Sequence, residues 1–600
     1  MTSKYLSWPL LTLALLLSAP ALAQTAPGWG WVRDFNDYTS STQLGSENRT
    51  AGVGRDAAGN LYVAGAYIGS LTVGSPPPGT VGNQANSEVF LTKYDPAGTL
   101  LWVKALHGTD IDAATQLVVT PSGLCIMAGT YGQGQTGGNL LFTDFGSSLV
   151  LPGPAQVGLA GGTTSLYQKL PFLAAVNSNG SLAWATCPTA TYGFTPQSLA
   201  CDDQGNAYLS ATISQAMVVN GTTYPRVGTS DAVLLKFGTS GQVQWVQQAN
   251  AATAQVNGLG IKADQTGNVY WLVDHSKPFS FNNTTVGTGA GSTLIKIAGA
   301  TNQVQWVKSD LVQIGSTPLA GSGISGLDNA TGSLYIYLIS AGQSITYPGA
   351  SAPVVVTSSK NAVTFCIARC DLNGQVTWVK PLVITTPTNS SSSYLIAAPQ
   401  VYPTATGFVA LTSTVYRGIT LFAGSAVTYP DSEGGQVCVL HYNTSTDQTE
   451  WVRTAGTVLG GFQAGSRVGT TAAGATLDAA GNVYVAGLYY GPAQFGSTTL
   501  PSTNGTYHTF LAKLDQTVLA TKAAAVAGRA WQPYPNPASG TVHLGGLPPR
   551  AQVQLLDARG RPVRQTSAAD LNLAGLAAGL YLLQVSNTAE PYQSQRLTVE

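Results

Sequence analysis

Short apolar runs rich in Val, Leu, Tyr and Phe recur along the whole chain, and many are joined by a turn of the Asp-x-x-Gly type. The cleanest copy, VFLTKYDPAGTLLWVK at 89–104, is two such runs around one turn, with Trp102 in the second run. Related hairpins lead to Trp184, Trp245 and Trp378, and Trp31, Trp306 and Trp451 complete the series. An Asp or Asn in such a turn accepts from backbone amides and the Gly takes positive φ, so the chain reverses tightly. A second hairpin recurs between the tryptophans: DAAGNLYVAG at 56–65, DDQGNAYLSA at 202–211, DQTGNVYWLV at 264–273 and DAAGNVYVAG at 478–487. Looser copies stand at 328–339, 121–129 and 405–413.

Two hairpins per repeat make four strands. The distance between successive tryptophans runs from 61 residues (Trp184 to Trp245) to 82 (Trp102 to Trp184). That exceeds a compact propeller blade of roughly 40–50 residues, so loops are inserted. Four-stranded antiparallel sheets repeated radially make a β-propeller. The last repeat has a third strand at 510–515 but no tryptophan strand after it, and the first tryptophan strand at 29–33 has no third strand before it. The expectation is an all-β, seven-bladed β-propeller whose N-terminal strand closes the last blade. A row of β-sandwich domains is the alternative, and the permuted ends count against it.

The D-x-x-G-N-x-Y-V-x-G hairpin followed by F-L-x-K-Y-D resembles the β-propeller repeats of exported bacterial proteins (SBBP-like repeats) over roughly 29–516. This resemblance implies a propeller and no particular activity. The C-terminal texture is different, with Tyr534-Pro535-Asn536-Pro537, LDARG at 556–560, LAAGLY at 576–581 (Gly579 and Tyr581 among them) and a final strand ending at Glu600. Strands broken by Pro and Gly predict a small, Ig-like β-sandwich. These motifs resemble the type A C-terminal sorting domain of the type IX secretion system of Bacteroidetes. The resemblance implies that the secretion machinery is a partner, that the chain crosses the outer membrane, and that this domain is removed.

At the other end, Lys4, an apolar stretch at 10–17 and Ala21-Leu22-Ala23 before Gln24 read as a secretory signal peptide cleaved between Ala23 and Gln24. That stretch is too short to span a bilayer comfortably, and no later segment is long and apolar enough for a transmembrane helix. The predicted organisation is a signal peptide at 1–23, a propeller at 24–515, an Ala-rich linker at 516–530 and a sorting domain at 531–600. The predicted location is extracellular, secreted or on the outer-membrane surface, reached through the periplasm.

Composition sharpens this in two ways. With 27 basic and 27 acidic residues the chain is neutral, which removes the basic footprint of a nucleic-acid binder. Six cysteines lie far apart, which argues against zinc and leaves Cys187 with Cys201 as the one pair worth testing for a disulfide. Only six glutamates exist, and Asp56, Asp95, Asp202, Asp264, Asp328, Asp371, Asp478 and Asp515 are spent on turns. No catalytic, cofactor or metal residues are assigned. His107-Gly-Thr-Asp110-Ile-Asp112 has metal-ligand chemistry, but a polar connection with Asp112 closing the strand start is the stronger reading. The long connections at 131–170 and around Tyr67, Phe279 and Tyr347 are expected to present exposed aromatic anchors on one face. The leading function is binding or adhesion to an extracellular glycan or protein. An extracellular hydrolase or lyase acting on polysaccharide or peptide in the propeller funnel, and a purely structural surface protein, are the alternatives. Ionisable residues converging in the funnel would favour the enzyme, and a funnel lined by Ser, Thr and Gly would not.

Overall fold

A run of apolar residues flanked by turn-formers can bury both faces only as a strand sandwiched between neighbouring sheets. The chain does this repeatedly. The structure, a computed structural model, describes residues 27–38, 50–73, 79–108, 110–133, 138–154, 156–157, 166–167, 169–314, 321–341, 344–347, 354–357, 363–384, 395–414, 419–420, 426–427, 436–457, 469–501, 507–516, 532–545, 547, 551–557, 561–587 and 590–600. The expected signal peptide, with Ala23 and Gln24, and nearly all of the expected Ala-rich linker lie outside these residues. Apart from one 3-10 turn at Thr143–Phe145, the regular elements described are strands.

The chain divides into two compact units, Met1–Val518 and Leu519–Glu600. The first unit is built from antiparallel four-stranded sheets, numbered here in chain order. Sheet 1 is Thr50–Arg55, Leu61–Val73, Gly79–Tyr94 and Leu100–Leu106. Sheet 2 is Ile111–Val119, Cys125–Gln133, Leu170–Val176 and Leu182–Thr186. Sheet 3 is Phe194–Cys201, Ala207–Ile213, Asp231–Phe237 and Val243–Asn250. Sheet 4 is Val256–Ala263, Asn268–His275, Gly291–Ala298 and Gln303–Ile314. Sheet 5 is Gly321–Asp328, Ser333–Ala341, Val363–Asp371 and Val376–Ile384. Sheet 6 is Leu395–Thr404, Gly407–Thr414, Gln436–Asn443 and Gln448–Thr457. Sheet 7 has Thr471–Leu477, Val483–Tyr490 and Tyr507–Asp515, and its fourth strand is the N-terminal Gly28–Tyr38, with Val32 opposite Ala512.

The core lies in layers between successive sheets. Sheets 3 and 4, for example, enclose Leu234, Val269, Trp271, Phe279 and Ile295, all fully or almost fully buried. Sheets 7 and 1 share Phe35, Leu61, Val63, Phe90, Ala486 and Leu511 in the same way.

The tryptophans belong to this layering. Trp102 packs its ring 6.1 Å from Tyr62 of its own sheet, and its indole N–H donates to the Ser178 carbonyl in a turn of sheet 2 at 3.4 Å. Lys93 donates to the same carbonyl at 2.8 Å and lies over the Tyr62 ring. Sheet 3 repeats the arrangement onto sheet 4: Lys236 and Trp245 both donate to the Gly299 carbonyl at 3.0 Å. Gly241, at φ +79°, shows why glycine is required at such turns. A β-carbon there would stand 2.5 Å from the Trp184 ring.

The Asp of the first hairpin is a local anchor. Asp56 takes the Asn60 amide on Oδ1 at 2.8 Å, and on Oδ2 the Asn60 side chain at 2.8 Å and the Tyr62 hydroxyl at 3.1 Å. Asp202, Asp264 and Asp478 do the same with Asn206 and Tyr208, Asn268 and Tyr270, and Asn482 and Tyr484. In sheet 2, Thr120 replaces the Asp and accepts from the Leu124 amide.

The inserted loops are themselves structured. The hairpin Phe279–Phe281 with Thr284–Val286, inserted in sheet 4, pairs back onto the fourth strand of sheet 3 at Ala249 and Asn250. Hairpins inserted in sheets 5, 6 and 7 pair onto the fourth strands of sheets 4, 5 and 6. The extended second strand of sheet 1 pairs through 70–73 with residues 35–38, on the fourth strand of sheet 7. The expectation of exposed aromatic anchors is therefore overturned at Tyr67, Tyr131 and Phe279, while the side chain of Tyr347 lies outside the described residues. Tyr67 and Tyr131, on second strands, are fully buried. Phe279 is 2% exposed, because its hairpin pairs with the preceding sheet and turns the ring into the layer between them.

The second unit holds two sheets. One contains Gln532–Tyr534, Thr541–Gly545 and Asp570–Asn572, and the other Pro562–Thr566, Gln552–Leu556, Gly579–Asn587 and Glu590–Val599. Val542, Val553, Leu583 and Leu597 are buried in its core.

Candidate functional site

The first strand of each sheet is rich in small residues because these strands lie side by side: each is in contact with that of the next sheet, and Thr471–Leu477 is in contact with Thr50–Arg55. A β-carbon on Gly260 would meet the Ile324 amide at 2.4 Å, and one on Gly326 the Val401 carbonyl at 2.4 Å. Close strand approach leaves a cavity of about 460 Å³, lined by residues from the first strands of sheets 1 to 7.

The lining is mainly hydroxyl, amide and backbone. Several of its polar groups are already engaged. The Gln400 amide donates to the Ala473 carbonyl at 2.9 Å. The Tyr402 hydroxyl donates to the Gln400 side-chain oxygen and accepts from the Ala475 amide at 2.7 Å. Ser198 accepts from the Ile261 amide at 3.3 Å and Thr50 donates to the Gly487 carbonyl at 3.2 Å. Burial pushes the phenols of Tyr337 and Tyr402 above their ordinary range, so both stay protonated.

Lys262 is the exception. It is the one charged side chain among the described lining residues, on the first strand of sheet 4 just before the Asp264 turn. Burial lowers its pKa against an opposing pull from Cys201, whose own thiol burial pushes up to about 12. The thiol is therefore neutral and cannot serve as a counter-ion. In the sequence Lys262 is an ordinary lysine in GIKADQTGN. The available signal was a charge in a strand class otherwise composed mainly of Gly, Ala, Ser, Thr and aliphatics.

A second polar cluster lies where sheet 1 meets the insert of sheet 2. His107 has Nδ1 3.2 Å from Glu88 and Nε2 3.1 Å from Asp144. Tyr67 donates to the other oxygen of the buried Glu88 at 2.5 Å. Burial disfavours the charged imidazole, but the bonds and charges of Asp144 and Glu88 outweigh it and the His107 pKa is raised. Asp110 and Asp112, grouped with His107 in sequence, turn elsewhere: they accept the Gly138 and Gly132 amides, each at 2.9 Å. Among the described residues no three acidic, His or Cys side chains are placed to hold a metal ion. None of the six cysteines is in a disulfide, and Cys187 donates to the Thr189 carbonyl instead of joining Cys201.

The repeat tryptophans Trp31, Trp102, Trp184, Trp245, Trp306, Trp378 and Trp451 are buried or partly buried packing residues. In the second unit, the Asn536 side chain bridges to the last strand, donating to the Arg596 carbonyl at 2.7 Å and accepting the Thr598 amide at 2.9 Å. Tyr581 donates to the Ala577 carbonyl at 2.8 Å, Tyr534 is 56% exposed against His543, and Gly579 opens the strand facing Val599. Pro535 and Pro537 lie exposed on either side of Asn536.

Residues 532–600 match the family model of a secretion system C-terminal sorting domain. The chain thus carries a type IX sorting tail and is exported to the cell surface or beyond. No helix of the described residues is long and apolar enough to cross a membrane. No curated protein matches the chain. Among solved structures, the chain is similar to the extracellular domain of the putative hybrid two-component system BT4673 from B. thetaiotaomicron, at 9% identity, 92% of this chain, 80% of that chain and TM-score 0.21. It is also similar to PorZ, a surface component of the type IX secretion system of Porphyromonas gingivalis, at 11% identity, 94% and 100% coverage and TM-score 0.15. A puromycin hydrolase matches at 12% identity over 76% of this chain and 61% of its own, with TM-score 0.27.

Proposed function

We propose that residues 24–515 form a closed seven-bladed propeller that acts as a binding scaffold outside the cell, delivered by a signal peptide at 1–23 and a sorting domain at 531–600 that is removed on export. The neighbouring first strands, the side hairpins that join sheet to sheet, and the pairing of the N-terminal strand with Tyr507–Asp515 all support closure. One observation carries the binding reading. The cavity where these strands meet has a hydroxyl- and amide-rich lining with no carboxylate or imidazole among its described residues. Hydrolysis of a glycosidic or peptide bond needs a paired acid and base, or a nucleophile with its base. Hydroxyls and carboxamides suit recognition of a glycan or a polar peptide segment instead.

Two measurements test this. A disulfide engineered between Val32→Cys and Ala512→Cys is expected to form without loss of secretion, and failure to form would refute the strand-closed ring. The protein recovered from the medium is expected to bind members of a glycan and peptide array and to turn over none of a matched hydrolase panel. Turnover abolished by changes in the cavity lining would establish the enzyme instead.

A further inference from the structure

The position of Lys262 goes beyond a generic polar cavity. An ammonium in a partly desolvated space ordinarily has a carboxylate or several carbonyls within reach, since an unpaired charge there is costly. Lys262 has no hydrogen bond or ion pair with any described residue, while Ser198, Gln400 and Tyr402 on the same lining are bonded within the protein. Among its described lining residues the cavity thus supplies one cation, several hydroxyl and amide groups, and no competing anion. Its volume of about 460 Å³ falls within the roughly 300–1,000 Å³ of small-molecule sites.

We infer that the cavity is a binding site for a polyhydroxylated monocarboxylate, such as a uronic-acid unit of an acidic glycan, whose carboxylate pairs with Lys262. The inference rests on the cavity being the ligand site of the proposed scaffold. The hydroxyls of the sugar face Gln116, Gln197 and Tyr337 of the lining, and the carboxylate supplies the missing counter-charge. Pairing also restores the lysine's preference for its protonated form, because an opposite charge a few ångströms away favours the charged state.

The test is calorimetric titration of the secreted protein with galacturonate and, separately, with galactose, its neutral counterpart. Saturable galacturonate binding at least tenfold tighter than galactose binding is expected. Lys262→Met, which keeps an apolar stem of similar length, is expected to weaken galacturonate binding tenfold or more, and Lys262→Arg to retain most of it. An unchanged urea midpoint in the Met variant separates lost binding from lost folding. As an independent readout, reductive methylation of Lys262 in the wild-type protein is expected to shift to higher pH when galacturonate is present. Equal binding of galactose, or galacturonate binding unaffected by Lys262→Met, overturns the anion site while leaving the cavity a ligand site. Absence of galacturonate binding overturns the inference too, and the array measurement then decides whether the scaffold reading survives.

Discussion

At one end of the sheets the same side chains make the same joints again and again. At the other, the polar side chains differ from joint to joint. The turn end carries Asp–Asn–Tyr anchors in sheets 1, 3, 4 and 7, with Lys and Trp reaching a turn carbonyl of the next sheet in at least two of them. The opposite end is joined mainly by backbone pairing of inserted hairpins onto the preceding fourth strand. Around those hairpins the chemistry differs each time: His107 between Glu88 and Asp144, His275 bonded to Thr293, His508 beside Asp34. Side-chain hydrogen bonds demand particular residues and so leave a repeated motif. Backbone pairing makes weaker demands and leaves only an alternating burial, shared by Phe279–Phe281 and Ala493–Phe495.

If the hairpin end truly contributes to the core, Phe279→Ala produces the largest effect. The ring is 2% exposed in the layer between sheets 3 and 4 and lies 4.8 Å from the His275 ring. Its removal is expected to cost about 3–4 kcal/mol in urea unfolding. A loss below about 1 kcal/mol would return Phe279 to the role of an exposed anchor.

The turn end is tested by Asp264→Ala, which strips the partner from the Tyr270 hydroxyl and from the Asn268 amide and side chain. A cost of about 2–3 kcal/mol is expected, since buried polar groups are left unpaired. Burial alone would raise the Asp264 pKa, but the bonds from Asn268 and Thr266 prevail and it is lowered. Its contribution is thus present above the ordinary carboxylate pKa and lost as pH falls through the depressed value. Asp264→Asn is expected to flatten the acid limb of the stability curve, and an unchanged limb would contradict the anchor role.

The smallest effects compare one histidine from each end, of opposite sign: His107 at the hairpin end, and His441 at the turn end beside Thr404 and Glu450. His107 has a raised pKa, so its contribution is full below the ordinary 6.5 and lost as pH rises through its folded value. Burial lowers the pKa of His441 against the opposing pull of Glu450, so its contribution is present above 6.5 and lost as pH falls below it. Thermal melts of His107→Gln and His441→Gln between about pH 5 and 8 are expected to diverge from the parent at opposite ends of the range, by under about 1 kcal/mol each. Divergence at the same end would show that the two sites share one environment.

Much of the fold was legible because it rests on local chemistry. Asp56, Asn60 and Tyr62 sit at fixed offsets in one hairpin, so their bonds are written in the repeat itself. The match of residues 532–600 to a sorting domain was equally open to reading, since its motifs are short and stand in order. The candidate site was not legible. Lys262 became notable only when strands more than two hundred residues apart along the chain converged around it and none brought a carboxylate. His107, Asp110 and Asp112 misled in the opposite direction, because neighbours along a strand and its approach turn to different partners.

The sequence by itself determined the strands, the tight turns, the packing role of the tryptophans and the route out of the cell. Each depends on residues close together in the chain, or on a motif repeated in phase. Only the tertiary structure decided that Phe279 is a buried ring in a joint between sheets, and that one lysine has no counter-ion among the described residues of a shared cavity. Both outcomes depend on which strand lies beside which, and a backbone hydrogen bond carries no record of that in the identity of the residues it joins.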